Sequence, residues 1–194
     1  MVKLNKIYTK VGDTGYTSLP GKNNIHKSHV LIRILGLLDE LNSIIGIFKS
    51  LLKNDKKMKK EKALITQIEN IQNKLFDIGG EISTIYYKQK VKNTISQENI
   101  KWLESLIDGY NKDLRDLESF IIPGSGLISS YVHFSRSICR RLERNLSLLL
   151  KEKKISNKIL IFINRLSDFL FVISRVISSN LKEDEDLWVF LKKF

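Results

Sequence analysis

Residues 127–151 read Leu127-Ile128-Ser129-Ser130-Tyr131-Val132-His133-Phe134-Ser135-Arg136-Ser137-Ile138-Cys139-Arg140-Arg141-Leu142-Glu143-Arg144-Asn145-Leu146-Ser147-Leu148-Leu149-Leu150-Lys151. Ile128, Tyr131, Phe134, Ile138, Leu142 and Leu146 recur at three- and four-residue steps, so the spacing predicts one helix with a buried apolar stripe. On another flank Arg136, Arg140 and Arg144 stand four apart, and each such step turns a helix by only about 40°. They form one cationic ridge, with Arg141 beside it and Glu143 between the last two members. Like charges at that spacing repel by a few tenths of a kcal/mol per pair. The ridge therefore calls for an anion or for fully solvated side chains. Guanidinium forks match phosphate oxygens bidentately, which makes a polyphosphate the sharper of these two readings.

Outward from this helix the same period recurs. Pro123-Gly124-Ser125-Gly126 breaks the chain before it, and Ser156 is a candidate N-cap for a helix over about 157–180. Upstream, Leu31, Ile34, Leu35, Leu38, Leu41, Ile45 and Phe48 predict a helix over about 28–53. Ile65, Ile68, Ile71, Leu75, Ile78 and Ile82 predict a second, and Ser96 caps a third carrying Ile100, Leu103, Leu106, Ile107 and Leu114. Two prolines and 10 glycines are too few turn residues for a sandwich or barrel. The expected fold is all-α, a five-helix antiparallel bundle with ferritin-like up-and-down packing and an ordered N-terminal loop or hairpin. The chain reads as a single domain over 1–194: loop 1–27, bundle 28–181 and C-terminal tail 182–194. Trp188, Phe190 and Phe194 predict that the tail docks.

Hydrophobic residues make up 42% and charged residues 28% of the 194, enough apolar surface for a core and too much for wholesale disorder. Lys plus Arg number 33 against 21 for Asp plus Glu, a net charge of +12 that points to anionic ligands. The single cysteine, Cys139, excludes an internal disulfide framework and fits a reducing, cytoplasmic setting. The most apolar stretch, 159–177, is interrupted by Asn164, Arg165, Asp168 and Arg175. Each charge at a bilayer centre costs on the order of 2.5–3.5 kcal/mol, so a buried helix is expected and no membrane partner.

Other candidates are weaker alone. Asn164 and Asp168 share a helix face, where they either satisfy one another or meet a ligand. Asp39-Glu40 offers carboxylates to the cationic ridge. Thr9-Lys10-Val11-Gly12-Asp13-Thr14-Gly15 is rich in glycine and hydroxyls, as phosphate loops are, without matching the Walker spacing. His26, His29 and His133 are too scattered for a zinc triad, and Cys139 reads as a core thiol. The lysine run 53–62 reads as a solvated face and lacks the interleaved aromatics that stack on bases.

Three blocks together resemble the cobalamin adenosyltransferases of the propanediol-utilisation type. The first is Ile7-Tyr8-Thr9-Lys10-Val11-Gly12-Asp13-Thr14-Gly15-Tyr16-Thr17-Ser18-Leu19, continued by Gly36 and Asp39-Glu40-Leu41-Asn42-Ser43. The second runs from Phe120 and Pro123-Gly124 through His133 to Arg136 and Cys139-Arg140-Arg141-Leu142-Glu143-Arg144. The third is Phe162-Ile163-Asn164-Arg165-Leu166-Ser167-Asp168-Phe169-Leu170-Phe171.

The resemblance implies a homotrimer with ATP bound between subunits. It implies that Thr9, Lys10, Val11, Gly12, Asp13, Thr17, Ser18 and Lys27 fold over the triphosphate, with magnesium on the phosphates. It gives Arg140, Arg141, Leu142, Glu143, Arg144 and Asn164 to the nucleotide pocket. It pairs Arg136 with Asp39, across the subunit boundary or within it, and sets Phe120 on the corrin face from which the lower axial base is displaced. The implied reaction is attack of cob(I)alamin on the 5′-carbon of ATP, giving adenosylcobalamin and triphosphate. A reductase and an adenosylcobalamin-dependent acceptor enzyme would stand on either side of it. Three positions depart from the pattern: Val11 where a threonine is common, Leu31 where an arginine is expected with Arg33 nearby, and Ser125 in the Pro-Gly-Gly turn. Two other readings compete: a basic nucleic-acid-binding module, and a non-catalytic protein that delivers or senses ATP or adenosylcobalamin.

Overall fold

A computed structural model describes residues 8, 10, 12–89, 91–152 and 154–190; Thr9 and Val11 lie outside the described residues. Five helices account for most of the chain: α1 Val30–Asn54, α2 Lys62–Ser83, α3 Gln97–Asn111, α4 Leu127–Lys151 and α5 Asn157–Leu181. Helix α1 packs on α2 and α4, α4 on α5, and α5 on α3. Successive helices run antiparallel: Lys49 of α1 meets Gln72 of α2 and, one turn on, Lys53 meets Glu69, while the start of α4 at Gly126 meets Glu183 just beyond α5. The expected bundle is the observed one.

The helix starts follow local chemistry. Ser96 caps α3 in a reciprocal capping box with Asn99, and Ser156 accepts from the Lys158 amide at the head of α5. The His29 ring caps α1 by accepting from the Leu31 amide, a role the expected start at 28 did not foresee. The lysine-rich link between α1 and α2 is a short 3-10 turn, Met58–Lys60, pinned by buried Met58 and by two amides donating to Asp55 Oδ1.

Helix α5 is apolar on nearly every side because it lies between α4 and α3: Ile159, Phe162, Ile163, Leu166, Phe169, Leu170 and Ile173 are all buried. Burying one such side chain is worth about 1.5–3 kcal/mol, so this helix dominates the core. Phe134 corrects the expected stripe of α4, since it is 50% exposed. The seam runs through Val132, Ser135, Ile138, Cys139, Leu142 and Leu146, and residue 134 sits about 100° away from Ser135 on the helix. Cys139 is the expected inert thiol: buried, with Sγ donating to the Ile163 carbonyl and its pKa raised chiefly by desolvation.

Two small antiparallel pairs complete the chain, one at each end of α4. Strands β1 Tyr16–Leu19 and β2 Lys22–His26 form an N-terminal hairpin with Thr17 opposite Ile25. Its turn glycine, Gly21, has φ of 80°, and any side chain there would strike the Tyr86 backbone. Lys22 lies over the Tyr86 ring at 4.4 Å and Lys154 at 5.9 Å, so the hairpin docks where α4 ends. Strands β3 Ile121–Ile122 and β4 Asp186–Leu187 join the loop before α4 to the C-terminal tail; the contact runs through this pairing while Phe190 stays 71% exposed, and Phe194 lies outside the described residues. No helix among the described residues is long and apolar enough to cross a membrane.

Because Phe162 is fully enclosed, Phe162→Ala is expected to cost about 3–5 kcal/mol. Urea unfolding at fixed protein concentration, followed by circular dichroism, measures it.

Candidate active site

The arginines of α4 share a helix but not a fate. Arg140 and Arg144 line a cleft of about 420 Å³ with Glu143, Ser147, Leu160 and Asn164. Arg141, one residue and about 100° round from Arg140, instead meets Glu40 of α1 through Nη2 at 2.6 Å. Arg136, two turns before Arg144, is half-buried with its guanidinium 5.8 Å from the Phe171 ring centre. Its Nε is buried with no hydrogen-bond partner among the described residues, and desolvation followed by the Arg140 charge lowers its pKa. Leu142 is fully buried in the core between the two flanks.

Across the cleft, Asn164 projects from α5. Its Nδ2 donates to Glu143 Oε1 at 2.9 Å, while its Oδ1 accepts from Arg165 Nη1 at 2.7 Å. Arg165 is itself held by Glu104 of α3 at 2.9 Å and lies 3.7 Å from Asp168. The contemplated Asn164–Asp168 pairing is therefore replaced by a chain of contacts from α3 through α5 to α4. Burial, the first cause, pushes the Asp168 carboxyl up despite Arg165. The sequence reading passed over Ser147 and Leu160. The signal for both was helical spacing: Ser147 is three residues after Arg144, and Leu160 four before Asn164.

The N-terminal candidates gather elsewhere. Gly12 and Lys27 come together, the Lys27 ammonium lying 3.0 Å from where a Gly12 side chain would begin. The turn is closed by the Gly15 amide on the Gly12 carbonyl and the Lys27 amide on the Gly15 carbonyl. Lys10 adopts a left-handed φ of 61°, and the Asp13 amide donates to its carbonyl. Thr17 and Ser18 lie on β1. None of these described residues lines the arginine cleft of the same chain.

Asp39 is exposed on α1, beside an apolar groove that includes Leu35, Leu38 and Phe76. Among the described residues no ion pair joins it to Arg136. Leu31 is fully buried and carries no polar function, while Arg33 is exposed with Nη2 3.4 Å from the Ser28 carbonyl. Phe120 is 79% exposed at the other end of the bundle, with its ring edge-on to Trp188 at 6.3 Å. No described group of three or more His, Cys, Asp or Glu side chains could hold a metal ion.

The arrangement is a polyphosphate-sized cationic cleft with one carboxylate and one oriented amide, in a bundle with an exposed aromatic at its far end. The family model described as cobalamin adenosyltransferase matches residues 7–177. The chain belongs to the cobalamin adenosyltransferase family. A corrinoid adenosyltransferase of Bacillus subtilis is 34% identical over 174 residues, 90% of this chain and 87% of that protein. The human corrinoid adenosyltransferase is 32% identical over 194 residues, 98% of this chain and 75% of its own length. A solved variant of the PduO-type ATP:corrinoid adenosyltransferase of Lactobacillus reuteri, complexed with cobalamin and ATP, is similar in structure. Its TM-score is 0.86 at 35% identity, covering 96% of this chain and 98% of that one.

His133 bears on the stability of this family member. It is buried on α4 with its ring 6.3 Å from that of Phe171, and its Nδ1 has no partner among the described residues. Desolvation, with Arg136 adding repulsion, lowers its pKa to about 4. An unfolded histidine titrates near 6.5, so between those values the unfolded chain binds the extra proton. Stability is therefore lost as pH falls from about 6.5 towards 4, by up to about 3 kcal/mol. Urea midpoints at pH 7.5 and 4.5 should show a smaller acid loss in His133→Phe than in wild type.

Proposed function

We propose that this chain transfers the 5′-deoxyadenosyl group of ATP to cob(I)alamin, forming adenosylcobalamin and releasing triphosphate. The observation that carries the reading is the cleft in which Arg140 and Arg144 of α4 face Asn164 of α5, in a chain of this family. In the reaction, the cobalt(I) lone pair of the substrate forms a bond to C5′. The C5′–O bond breaks, its electron pair leaves on the triphosphate, and cobalt becomes formally +3. The substrate supplies the nucleophile, so the protein needs no general base. Its task is to hold the two reactants in line and to stabilise charge on the departing triphosphate.

Each side chain has a part in this scheme. Arg140, Arg144 and Asn164 hold the phosphates, and the Arg141–Glu40 pair keeps α4 in register with α1 beside them. Leu142 contributes by fixing the helix that carries its neighbours. Magnesium fits the donor set as a companion of ATP: it takes oxygen ligands, commonly one or two carboxylates plus phosphates, and Glu143 is the carboxylate in the cleft. When bound it neutralises phosphate charge.

The active assembly in this proposal is a homotrimer in which Thr9, Lys10, Val11, Gly12, Asp13, Thr17, Ser18 and Lys27 of one copy close over the phosphates held by the next. Two features support it: the described loop residues do not line their own cleft, and the buried Arg136 Nε has no hydrogen-bond partner among the described residues. Asp39 of a neighbouring copy would answer that guanidinium. Phe120 takes the corrin face from which the lower base has left, where a ring with no donor atom keeps cobalt free of a lower ligand and eases its reduction. The enzyme works in the reducing cytoplasm, with a reductase supplying electrons and an adenosylcobalamin-dependent enzyme receiving the product.

Arg140→Ala should lower turnover by about 10²–10³-fold, the usual loss when one group stabilising developing negative charge is removed. Anaerobic assay with ATP, magnesium and cob(I)alamin, following the carbon–cobalt product and triphosphate, measures it. A wild-type rate in the variant, or ADP as the only product, would overturn the scheme.

A further inference from the structure

A buried arginine outside the cationic ridge ties together the two segments that carry Phe120 and its neighbours. Arg175 of α5 is only 5% exposed. Its Nη2 donates to the Arg115 carbonyl at 2.7 Å, in the loop leading to Phe120. Its Nε donates to Glu185 Oε1 at 3.3 Å, in the C-terminal tail. A charge taken out of water is retained only where its partners are well placed, so both segments are fixed relative to one rigid helix.

Beyond this node the two segments hold each other. Ile121 pairs with Leu187 and Ile122 with Asp186. The Trp188 amide donates to the Phe120 carbonyl at 2.7 Å, and Ser119 Oγ donates to the Trp188 carbonyl at 2.7 Å. The tail turns back towards this loop through Lys182, which has a left-handed φ of 61°. Two residues of strand pairing alone would be a marginal attachment. Yet Phe120 is presented at 79% exposure with one aromatic neighbour, the Trp188 ring, edge-on at 6.3 Å.

We infer that Arg175, Glu185 and Trp188 form a clamp that sets the position of Phe120 beneath the corrin ring. Arg175 and Glu185 act on the backbone of the two segments, while Trp188 braces the ring itself. All three are positioning residues. Without the clamp the aromatic ring is free to swing, and a lower ligand regains access to cobalt. The inference rests on the role given to Phe120 above.

The test uses the full-length protein with ATP, magnesium and cob(II)alamin, reading the cobalt coordination state by electron paramagnetic resonance and ATP affinity by calorimetry. Phe120→Ala serves as the reference. Glu185→Gln, at a half-buried position, and Trp188→Ala, at an exposed one, are expected to lower the four-coordinate fraction at least threefold with ATP affinity within twofold of wild type. Trp188→Phe, which keeps an aromatic edge against Phe120, should restore most of that fraction. If Phe120→Ala lowers the fraction but Glu185→Gln and Trp188→Ala leave it at the wild-type level, the clamp is refuted and the role of Phe120 stands. If Phe120→Ala itself leaves the fraction unchanged, the role of Phe120 fails and the clamp with it.

Discussion

Four guanidinium groups on three turns of one helix repel each other, and the placement of their partners shapes the molecule around α4. Angular position decides each outcome. Arg141 turns to α1 and meets Glu40, Arg136 lies against Phe171, and Arg140 and Arg144 remain at the cleft with Glu143 between them. An exposed pair such as Arg141–Glu40 is worth only about 0–1 kcal/mol. Its consequence is direction rather than stability, because it removes one cation from the cleft side and leaves two. The Glu143–Asn164–Arg165–Glu104 series then fixes the opposite wall across three helices. Polar chains of this kind orient groups more than they stabilise a fold, and orientation is what phosphate binding needs.

The helices were legible in the sequence because their apolar residues keep period 3.6 over long spans. Helix α4 spans the expected 127–151, and Ser96 and Ser156 cap α3 and α5 as read. The error at Phe134 came from counting a large apolar residue as core when its angle placed it beside the seam. Strands of two residues, Ile121–Ile122 and Asp186–Leu187, carry no period at all, so their pairing could be found only in three dimensions. The cleft was half legible. Arg140, Arg144, Glu143 and Asn164 stood out as charge or amide in patterned helices, whereas Ser147 and Leu160 are ordinary residues given a role by their neighbours.

Partner choice was less legible than position. Asn164 and Asp168 share a face, yet Asn164 is satisfied by Glu143 and Arg165. Spacing along one helix cannot reveal what the adjacent helix offers, and the adjacent helix supplied a carboxylate. The same holds for Arg136 and Asp39, which the family resemblance pairs but which form no ion pair among the described residues of one chain. A half-buried guanidinium with an unpartnered Nε is costly where it stands. In the proposed assembly a second copy that brings a carboxylate to it would remove that cost.

Helix α4 also relates the two ends of the proposed reaction. The hairpin docks on Tyr86 and Lys154 where α4 stops, and the tail pairs with the Phe120 segment just before α4 starts. A continuous helix rises about 1.5 Å per residue, so Arg140 lies about 20 Å along the axis from Gly126. The groups proposed to hold phosphate are thus fixed on α4, whereas Phe120, the ring proposed to meet the corrin, stands on the loop before it and takes its place from the tail pairing. Acceleration by alignment demands this economy of motion: each degree of freedom removed by the bundle is one the reactants need not lose at the transition state. A loop-borne site could hold the same side chains, but the distance between them would fluctuate with every turn. On a helix sealed by Val132, Ile138, Leu142 and Leu146 the spacing of Arg140 and Arg144 does not, and the Phe120 loop approaches that order only through its ties to the tail.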